Sequence, residues 1–387
     1  MAAMEPVAQR PELSVIVPAR NEEASLSDCL RSLVRQSGPA FEIIVVDDHS
    51  TDRTREIAQS FQQEGVRVVQ APPLPAGWTG KNNAVTAGAR QAQGEWLLFT
   101  DADTVHIPGS IARALAEAQK HNVEMLSYSP EQIAVTFWEM ATLPVVFAEL
   151  ARQYPPSVVS DPASPIAAAN GQFILIRRDT YEAVGGHAAI ASEILEDVAL
   201  ARGVKRSGRK IRFRYAPEAV RTRMYRNYRQ LRDGWTKNLA LLFPSPGWLA
   251  AKTLFNWTLP GLLLFSPLIL ILVAIWSRRV APLTGLHDWL LKLARIATHW
   301  WWMVIVSLLL GRNFDRLRRA NFNLAMEWLG AIFGMPMFAY LLLRSKRAHA
   351  HGNVFWKGRT YLEKPGSDKP ALSNLESDGK TLLASSN

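Results

Sequence analysis

Four short apolar runs in the first hundred residues constrain what this chain can fold into. They are Leu13 to Val17 (LSVIV), Phe41 to Val46 (FEIIVV), Val66 to Gln70, and Trp96 to Thr100 (WLLFT). Apolar runs of this length, bounded by polar residues, read as strands buried on both faces, the condition of a parallel sheet. Helical spacing separates them. Leu26, Cys29, Leu30 and Leu33 recur at i, i+3, i+4 and i+7. Ile57, Ala58 and Phe61 give a second helix its inner face, with Ser50 or Thr51 as its expected cap. A Pro/Gly-rich loop, Ala71 to Gly80, leads into a third helix through about Ala92. Strand and helix in alternation predict an α/β fold with a doubly wound, mostly parallel sheet.

Such sheets bind ligands at the carboxyl ends of their strands. The fourth run ends in Asp101 and Asp103, separated by one residue. In isolation this pair is either an acidic turn or a seat for a hard cation. Two carboxylates at this spacing can hold Mg²⁺ or Mn²⁺, and Mg²⁺ commonly joins one or two carboxylates to substrate phosphates. No G-x-G-x-x-G follows any strand, so the fingerprint of a dinucleotide site is missing.

The formal net charge is +10. A basic balance fits nucleic acid, anionic lipid or a phosphorylated substrate. Without zinc-finger spacing or an RNA-binding aromatic motif, nucleic acid is not expected as a partner. One cysteine, Cys29, rules out an internal disulfide. The first twelve residues carry no apolar signal-peptide core, which points to a catalytic part in the cytoplasm.

The second half of the domain is less regular. Val123 to Ser129 and Gly171 to Arg177 read as strands, Asp179 as the start of a short helix, and Glu196-Asp197 as the opening of another. Val135 to Tyr154 reads equally as a buried helix or as one lying on a membrane. Between Arg202 and Arg232 stand twelve Lys or Arg against one acidic residue, Glu218, with aromatic residues interleaved. That pattern reads as a collar facing a membrane surface and phosphates.

Residues 253–277 carry no charge, and 25 residues suffice to cross about 30 Å of hydrocarbon. Residues 320–343, with Glu327 as their one charge, form a second expected span. Residues 286–311 are interrupted by Asp288, Lys292 and Arg295, and His299-Trp300-Trp301-Trp302 resembles an interfacial belt. Two spans with 286–311 interfacial leave the tail on the catalytic side; a third span would put it opposite.

Five segments then stand in order: VIVPARNEE at 15–23, VVDDHSTD at 45–52, LLFTDADT at 97–104, NGQFILIRR at 170–178 and ILEDVAL at 194–200. Over about residues 12–240 the chain resembles a family 2 glycosyltransferase of the GT-A fold. GWTGK at 77–81, and the WKGRTY segment after the membrane helices, resemble the hopene-associated and carotenoid-type membrane glycosyltransferases. The resemblance implies a nucleotide-sugar donor, most simply a UDP-sugar. It assigns Asp48 and the wall of Pro18, Arg20 and Glu22 to the nucleoside, and Asp101 and Asp103 to a divalent metal on the diphosphate. Lys81 is placed within reach of a donor phosphate, and Asp197 is the base that takes the acceptor's proton. Single displacement inverts the anomeric centre.

Processive synthases of this family carry Gln/Arg-x-x-Arg-Trp. Here Arg229 and Arg232 keep the spacing, but Trp235 follows Arg232 by three residues. The departure favours transfer of a single sugar to a membrane lipid over polymer synthesis, with Arg232 and Trp235 at the acceptor entrance. Transfer to polyprenyl phosphate, a polysaccharide synthase and a non-catalytic nucleotide-sugar-binding subunit remain as alternatives. The expected organisation is a short tail at 1–11, a catalytic domain at 12–240, a membrane region at 241–345 in the cytoplasmic membrane, and a basic, aromatic segment with a disordered polar tail at 346–387.

Overall fold

The computed structural model describes residues 10–280, 286–297, 300–352 and 354–361. The chain divides into two compact units between Leu231 and Arg232, with Arg319–Asn321 grouped with the first.

In the first unit β1 (Leu13–Ala19), α1 (Leu26–Val34), β2 (Phe41–Asp47), α2 (Thr54–Ser60), β3 (Val66–Gln70), α3 (Gly80–Gln91) and β4 (Trp96–Phe99) alternate as the sequence predicts. Then follow β5 (Thr104–His106), α4 (Ser110–Lys120), β6 (Met125–Ser129), β7 (Glu131–Gln132), α5 (Phe137–Gln153), α6 (Pro156–Ser160), β8 (Ile174–Arg177), α7 (Arg178–Ala183), α8 (Glu196–Arg206), β9 (Ile211–Tyr215) and β10 (Val220–Thr222). The main sheet runs β3-β2-β1-β4-β8-β6-β9, and a small sheet runs β5-β10-β7. β1 lies parallel to β2 on one side and to β4 on the other. The sheet is mostly parallel, with β8 running against both β4 and β6.

Alternate residues of the central strands enter different layers. Val15, Val17, Ile43, Val45 and Leu98 pack with Leu26, Cys29, Leu30 and Leu33 of α1 and with Ile111 and Ala114 of α4. Ile16, Ile44, Val46, Leu97 and Phe99 pack with Ala84 and Val85 of α3 and with Leu200 and Ala201 of α8. This two-sided burial explains the unbroken apolar runs. It also explains why α1 forms although the Ser25 side chain makes no capping bond. A cap contributes about 1 kcal/mol, whereas burying each of three leucines contributes roughly 1.5–3 kcal/mol.

Three local expectations change. α2 begins at Thr54, and neither Ser50 nor Thr51 caps it. Ser50 instead accepts the Asn21 N–H at 3.1 Å, and the Thr51 N–H donates to Asn21 Oδ1 at 2.9 Å, so both residues join two loops. The strand expected from Gly171 begins at Ile174, because residues 170–173 form a turn closed by the Phe173 N–H on the Asn170 carbonyl. The basic run is a collar only in part. Arg212 and Arg214 pair with Glu117, Arg221 with Glu131 and Arg223 with Glu139, all within the first unit. Of the two readings of 135–154, the middle of α5 is buried through Ala141, Leu143, Val145 and Val146, while Phe137 and Trp138 at its start are exposed.

In the second unit α9 (Tyr228–Leu242, which begins in the first unit), α10 (Pro246–Val280), α11 (Leu286–Ala297), α12 (Trp300–Arg318), α13 (Leu324–Leu329) and α14 (Met335–Ala350) follow one another. A π-helical turn, Gly330–Gly334, joins α13 to α14. Ser345 on α14 binds the end of α9, donating to the Thr236 carbonyl and accepting the Ala240 N–H. Two stretches, Pro246–Trp276 and Leu324–Ala350, are long and apolar enough to cross a membrane. They contain or overlap both expected spans. Residues 286–297 and 300–318 form separate helices. The WKGRTY segment forms a hairpin of β11 (Val354–Trp356) and β12 (Arg359–Tyr361). Its turn places Lys357 and Gly358 at φ 45° and 79°, the left-handed pair that a tight hairpin turn requires. The polar tail from residue 362 and residues 1–9 lie outside the described residues.

Candidate active site

The order of the strands fixes where a ligand binds. From β1 the chain moves outward through β2 to β3, then returns to place β4 on the other side of β1. The winding therefore reverses between β1 and β4, and the crevice at their carboxyl ends is the binding position of an open α/β sheet. The loops that start at Pro18, Asp48 and Thr100 all leave that edge.

The first two loops are zipped together. Arg20 Nη1 donates to the Asp48 carbonyl at 2.6 Å and to the His49 carbonyl at 3.2 Å. The Glu22 N–H donates to Thr54 Oγ1 at 2.6 Å, and the Glu23 N–H to Asp52 Oδ2 at 3.1 Å. Asn21 and His49 both sit at positive φ, 52° and 54°, in the left-handed region where Asn and His are enriched. Asp48 is 4% exposed, and its N–H donates to the Ala19 carbonyl.

Beneath the third loop lies Cys29, whose Sγ is 3.8 Å from the Asp101 carbonyl. Burial pushes this thiol up, and the charges of Asp103, Glu22 and Asp101 push it further. The charges of three carboxylates, Asp103, Glu22 and Asp101, thus reach one buried sulfur. Tyr225 is buried as well, and its phenol is pushed up by burial and then by Asp103.

Lys81 joins this edge to a distant part of the chain. Its Nζ lies 2.7 Å from Asp101 Oδ1 and 2.6 Å from Glu196 Oε1. Burial opposes the charge on Lys81, but Asp101 and Glu196 outweigh it and hold the ammonium well above its ordinary value. The first turn of α3 makes the reach possible. Thr79 caps it by accepting the Asn82 N–H. The Asn82 amide donates to the carbonyls of Ile190, Ala191 and Glu193 at 2.8, 3.1 and 3.1 Å, tying α3 to the segment before α8.

Asp197, beside Glu196, starts α8. It accepts the Gly171 N–H at 3.0 Å and the Val198 N–H at 2.7 Å. Burial, then the Glu196 charge, push its carboxyl up to about 6, while Lys81 and the two N–H donors pull the other way.

Among the described residues no group of three or more His, Cys, Asp or Glu is arranged to hold a metal. Asp101 and Asp103 contribute hard oxygen donors from one half-exposed loop, which fits a cation that takes its other ligands from phosphate and water.

Residues 14–185 match the family described as Glycosyl transferase family 2. That segment is a family 2 glycosyltransferase domain. Over 357 residues, 90% of this chain and 88% of the relative, it is 28% identical to the 4,4'-diaponeurosporenoate glycosyltransferase of Staphylococcus aureus. Among solved structures it is similar to the mannosyltransferase PcManGT of Pyrobaculum calidifontis in complex with GDP-Man and Mn²⁺, with a TM-score of 0.44 and 18% identity over 81% of this chain and 87% of that one. It is also similar to S. aureus TarS 1-349 in complex with UDP-GlcNAc, with a TM-score of 0.41 and 15% identity over 92% of this chain and all of that one.

In this glycosyltransferase Pro18, Arg20, Glu22, Asp48, Lys81, Asp101, Asp103 and Asp197 all belong to the first unit, along loops leaving one sheet edge or tied to it. Arg232 and Trp235 belong to the second unit, where Arg232 pairs with Asp233 at 2.8 Å and Trp235 is buried. Sequence reasoning passed over Glu196, Gly171 and Asn82. Glu196 carried a signal as the acidic neighbour of Asp197, whereas Asn82 carried none, because its partners are carbonyls of a segment far along the chain. A fully buried amide with three acceptors is costly to lose. Asn82→Ala should destabilise the glycosyltransferase by about 1–3 kcal/mol, read as a lower midpoint of thermal unfolding; an unchanged midpoint would show that the tie between α3 and the 190–193 segment is dispensable.

Proposed function

We propose that the glycosyltransferase moves a single sugar from a nucleotide-diphosphate donor to a membrane lipid, with inversion. The observation that carries this reading is the Lys81 bridge, which holds the start of α8, and with it Asp197, against the Asp101 edge of the crevice. Leaving-group carboxylates and a candidate base thereby face one space. Asp48, with the loop of Pro18, Arg20 and Glu22, serves the nucleoside, most simply uridine.

Asp101 and Asp103 would hold Mg²⁺ or Mn²⁺, which when bound neutralises charge developing on the departing diphosphate. The protein's own residues supply the remainder. The acceptor oxygen forms a bond to the anomeric carbon as the bond from that carbon to the diphosphate oxygen breaks. The bonding pair leaves on the diphosphate, and the acceptor's hydroxyl proton passes to Asp197. A carboxyl raised by burial is a stronger base than an exposed one once ionised, which suits it to this transfer. The two N–H donors on Asp197 keep it ionised at neutral pH and fix its direction.

The acceptor class rests on two supports. The relative that matches along most of its length is named for 4,4'-diaponeurosporenoate. Two helices of the second unit have the length and apolar character of membrane spans, and Trp248, Phe255 and Phe265 on α10 are 71, 60 and 57% exposed, as expected of side chains that face lipid.

Three outcomes are expected. Membranes incubated with radiolabelled nucleotide sugars should yield a glycosylated lipid; EDTA should abolish it, and so nearly should Asp103→Asn. Full activity in either case refutes the metal role.

Because the base must be ionised and its pKa is raised, kcat should fall as pH drops through about 6, above the ordinary aspartate range. Asp197→Asn should remove this limb and lower kcat by roughly 10²–10⁴-fold with donor binding intact. A limb near pH 4 in the wild type would count against Asp197.

With two spans the tail shares the catalytic side of the membrane. A cysteine at Ser373 in a Cys29→Ser background should react with impermeant maleimide only after the cells are opened. Labelling of intact cells would overturn the two-span topology and any donor role for the WKGRTY hairpin.

A further inference from the structure

We propose that Lys81 is a resident counter-cation that occupies Asp101 in the absence of nucleotide, so that a divalent metal binds tightly only together with the donor diphosphate. The proposal rests on the reading of Asp101 and Asp103 as metal ligands and adds an order of binding to it.

The ammonium is placed by construction. A surface lysine with a free choice of partners would not be confined on three sides. Lys81 has Asp101 at 2.7 Å on one side and Glu196 at 2.6 Å on another. On the third side is Gly171, where a Cβ would lie 2.9 Å from Nζ and 3.3 Å from Glu196 Oε1. A larger residue at 171 would push the ammonium from this position. The Asn82 bonds fix the helix end from which Lys81 projects.

A cation arriving at Asp101 without nucleotide meets this positive charge on the oxygen it needs. The protein offers it few further ligands, since among the described residues no third His, Cys, Asp or Glu completes a cluster. The diphosphate changes both terms. Its oxygens supply the missing ligands, and its negative charge gives the ammonium another partner. Glu196 gives Lys81 a second seat, so the ammonium can leave Asp101 without being stranded in a poorly solvated place. Its long, flexible stem permits the shift. Metal and nucleotide are then coupled, and the coupling is reciprocal.

The test measures Mn²⁺ binding, without turnover, by the loss of the free-ion electron paramagnetic resonance signal. It uses the full-length protein in detergent, alone and with UDP or GDP, and thermal unfolding confirms that each variant is folded. Wild type should bind Mn²⁺ weakly alone and roughly tenfold or more tightly with nucleotide. Lys81→Met should bind Mn²⁺ alone roughly tenfold more tightly than wild type, with the nucleotide effect reduced. Lys81→Arg, which keeps the charge, should resemble wild type. Glu196→Gln is an independent arm: with the second seat weakened, Mn²⁺ binding in the presence of nucleotide should fall. Nucleotide-free affinity unchanged or weakened in Lys81→Met overturns the proposal while leaving the metal site standing. No Mn²⁺ binding by wild type under any of these conditions overturns the metal reading and the proposal with it.

Discussion

Three acidic side chains, Asp101, Glu196 and Asp197, stand at one edge of the sheet because a single ammonium is shared between two of them. Like charges about 4 Å apart at an effective dielectric near 20 repel by roughly 4 kcal/mol. That is a large fraction of the stability of an ordinary domain. Lys81 offsets this cost where it would be greatest. The same contact does geometric work. Asp101 follows a central strand and Glu196 begins a helix. The bridge, with the Asn82 bonds to 190–193 and the Gly171 bond to Asp197, is what aligns the two.

How much of this was legible in the sequence depended on the range of the interaction. The β1, β2, β3 and β4 runs and the α1 stripe were readable because burial on both faces, or on one helical face, leaves a pattern within a dozen residues. The strand edge carrying Asp101 and Asp103 followed from that pattern. The antiparallel sense of β8 did not, since ILIR buried on both faces looks the same in either direction. The start of α2 was misplaced because Ser50 and Thr51, good caps by type, are engaged by Asn21 across two loops. The basic run from Arg202 hid its partners for a similar reason. Glu117 lies on α4, yet it receives Arg212 and Arg214 from the neighbouring β9. That Lys81 pairs with Glu196 was not legible, because Asn82 brings together segments more than a hundred residues apart.

The second unit presents a different surface. Its helices join through small polar contacts where they meet: Trp257 Nε1 donates to the Ile332 carbonyl, Trp302 Nε1 to the Leu263 carbonyl, and the Asn313 amide to the Asn256 carbonyl. The Ile332 acceptor lies in the π-helical turn at Gly330–Gly334, where the regular ladder is interrupted and carbonyls take other donors. Elsewhere α10 shows large apolar side chains outward. An exposed apolar surface of this extent is rare on a soluble monomer and needs an apolar neighbour. A bilayer satisfies that need without further protein, since the backbone groups of a helix are already paired.

On the proposed mechanism, carboxylates of the same chemistry serve opposite ends of one displacement. Asp101 is partly exposed and is held against the Lys81 ammonium. Asp197 is more deeply set, carries Glu196 as its neighbour and is stabilised by two N–H dipoles rather than by direct contact with an ammonium. Its charge is harder to keep, which makes it the better proton acceptor. Between Asp101 and Asp197 lies the side chain of Lys81, which touches Asp101 directly and acts on Asp197 from a distance, against the push of Glu196. An acceptor hydroxyl seated on the α8 side would find the base, and a leaving diphosphate on the β4 side would find the cation. On the proposed mechanism, the ammonium of Lys81 therefore marks the diphosphate side of the crevice.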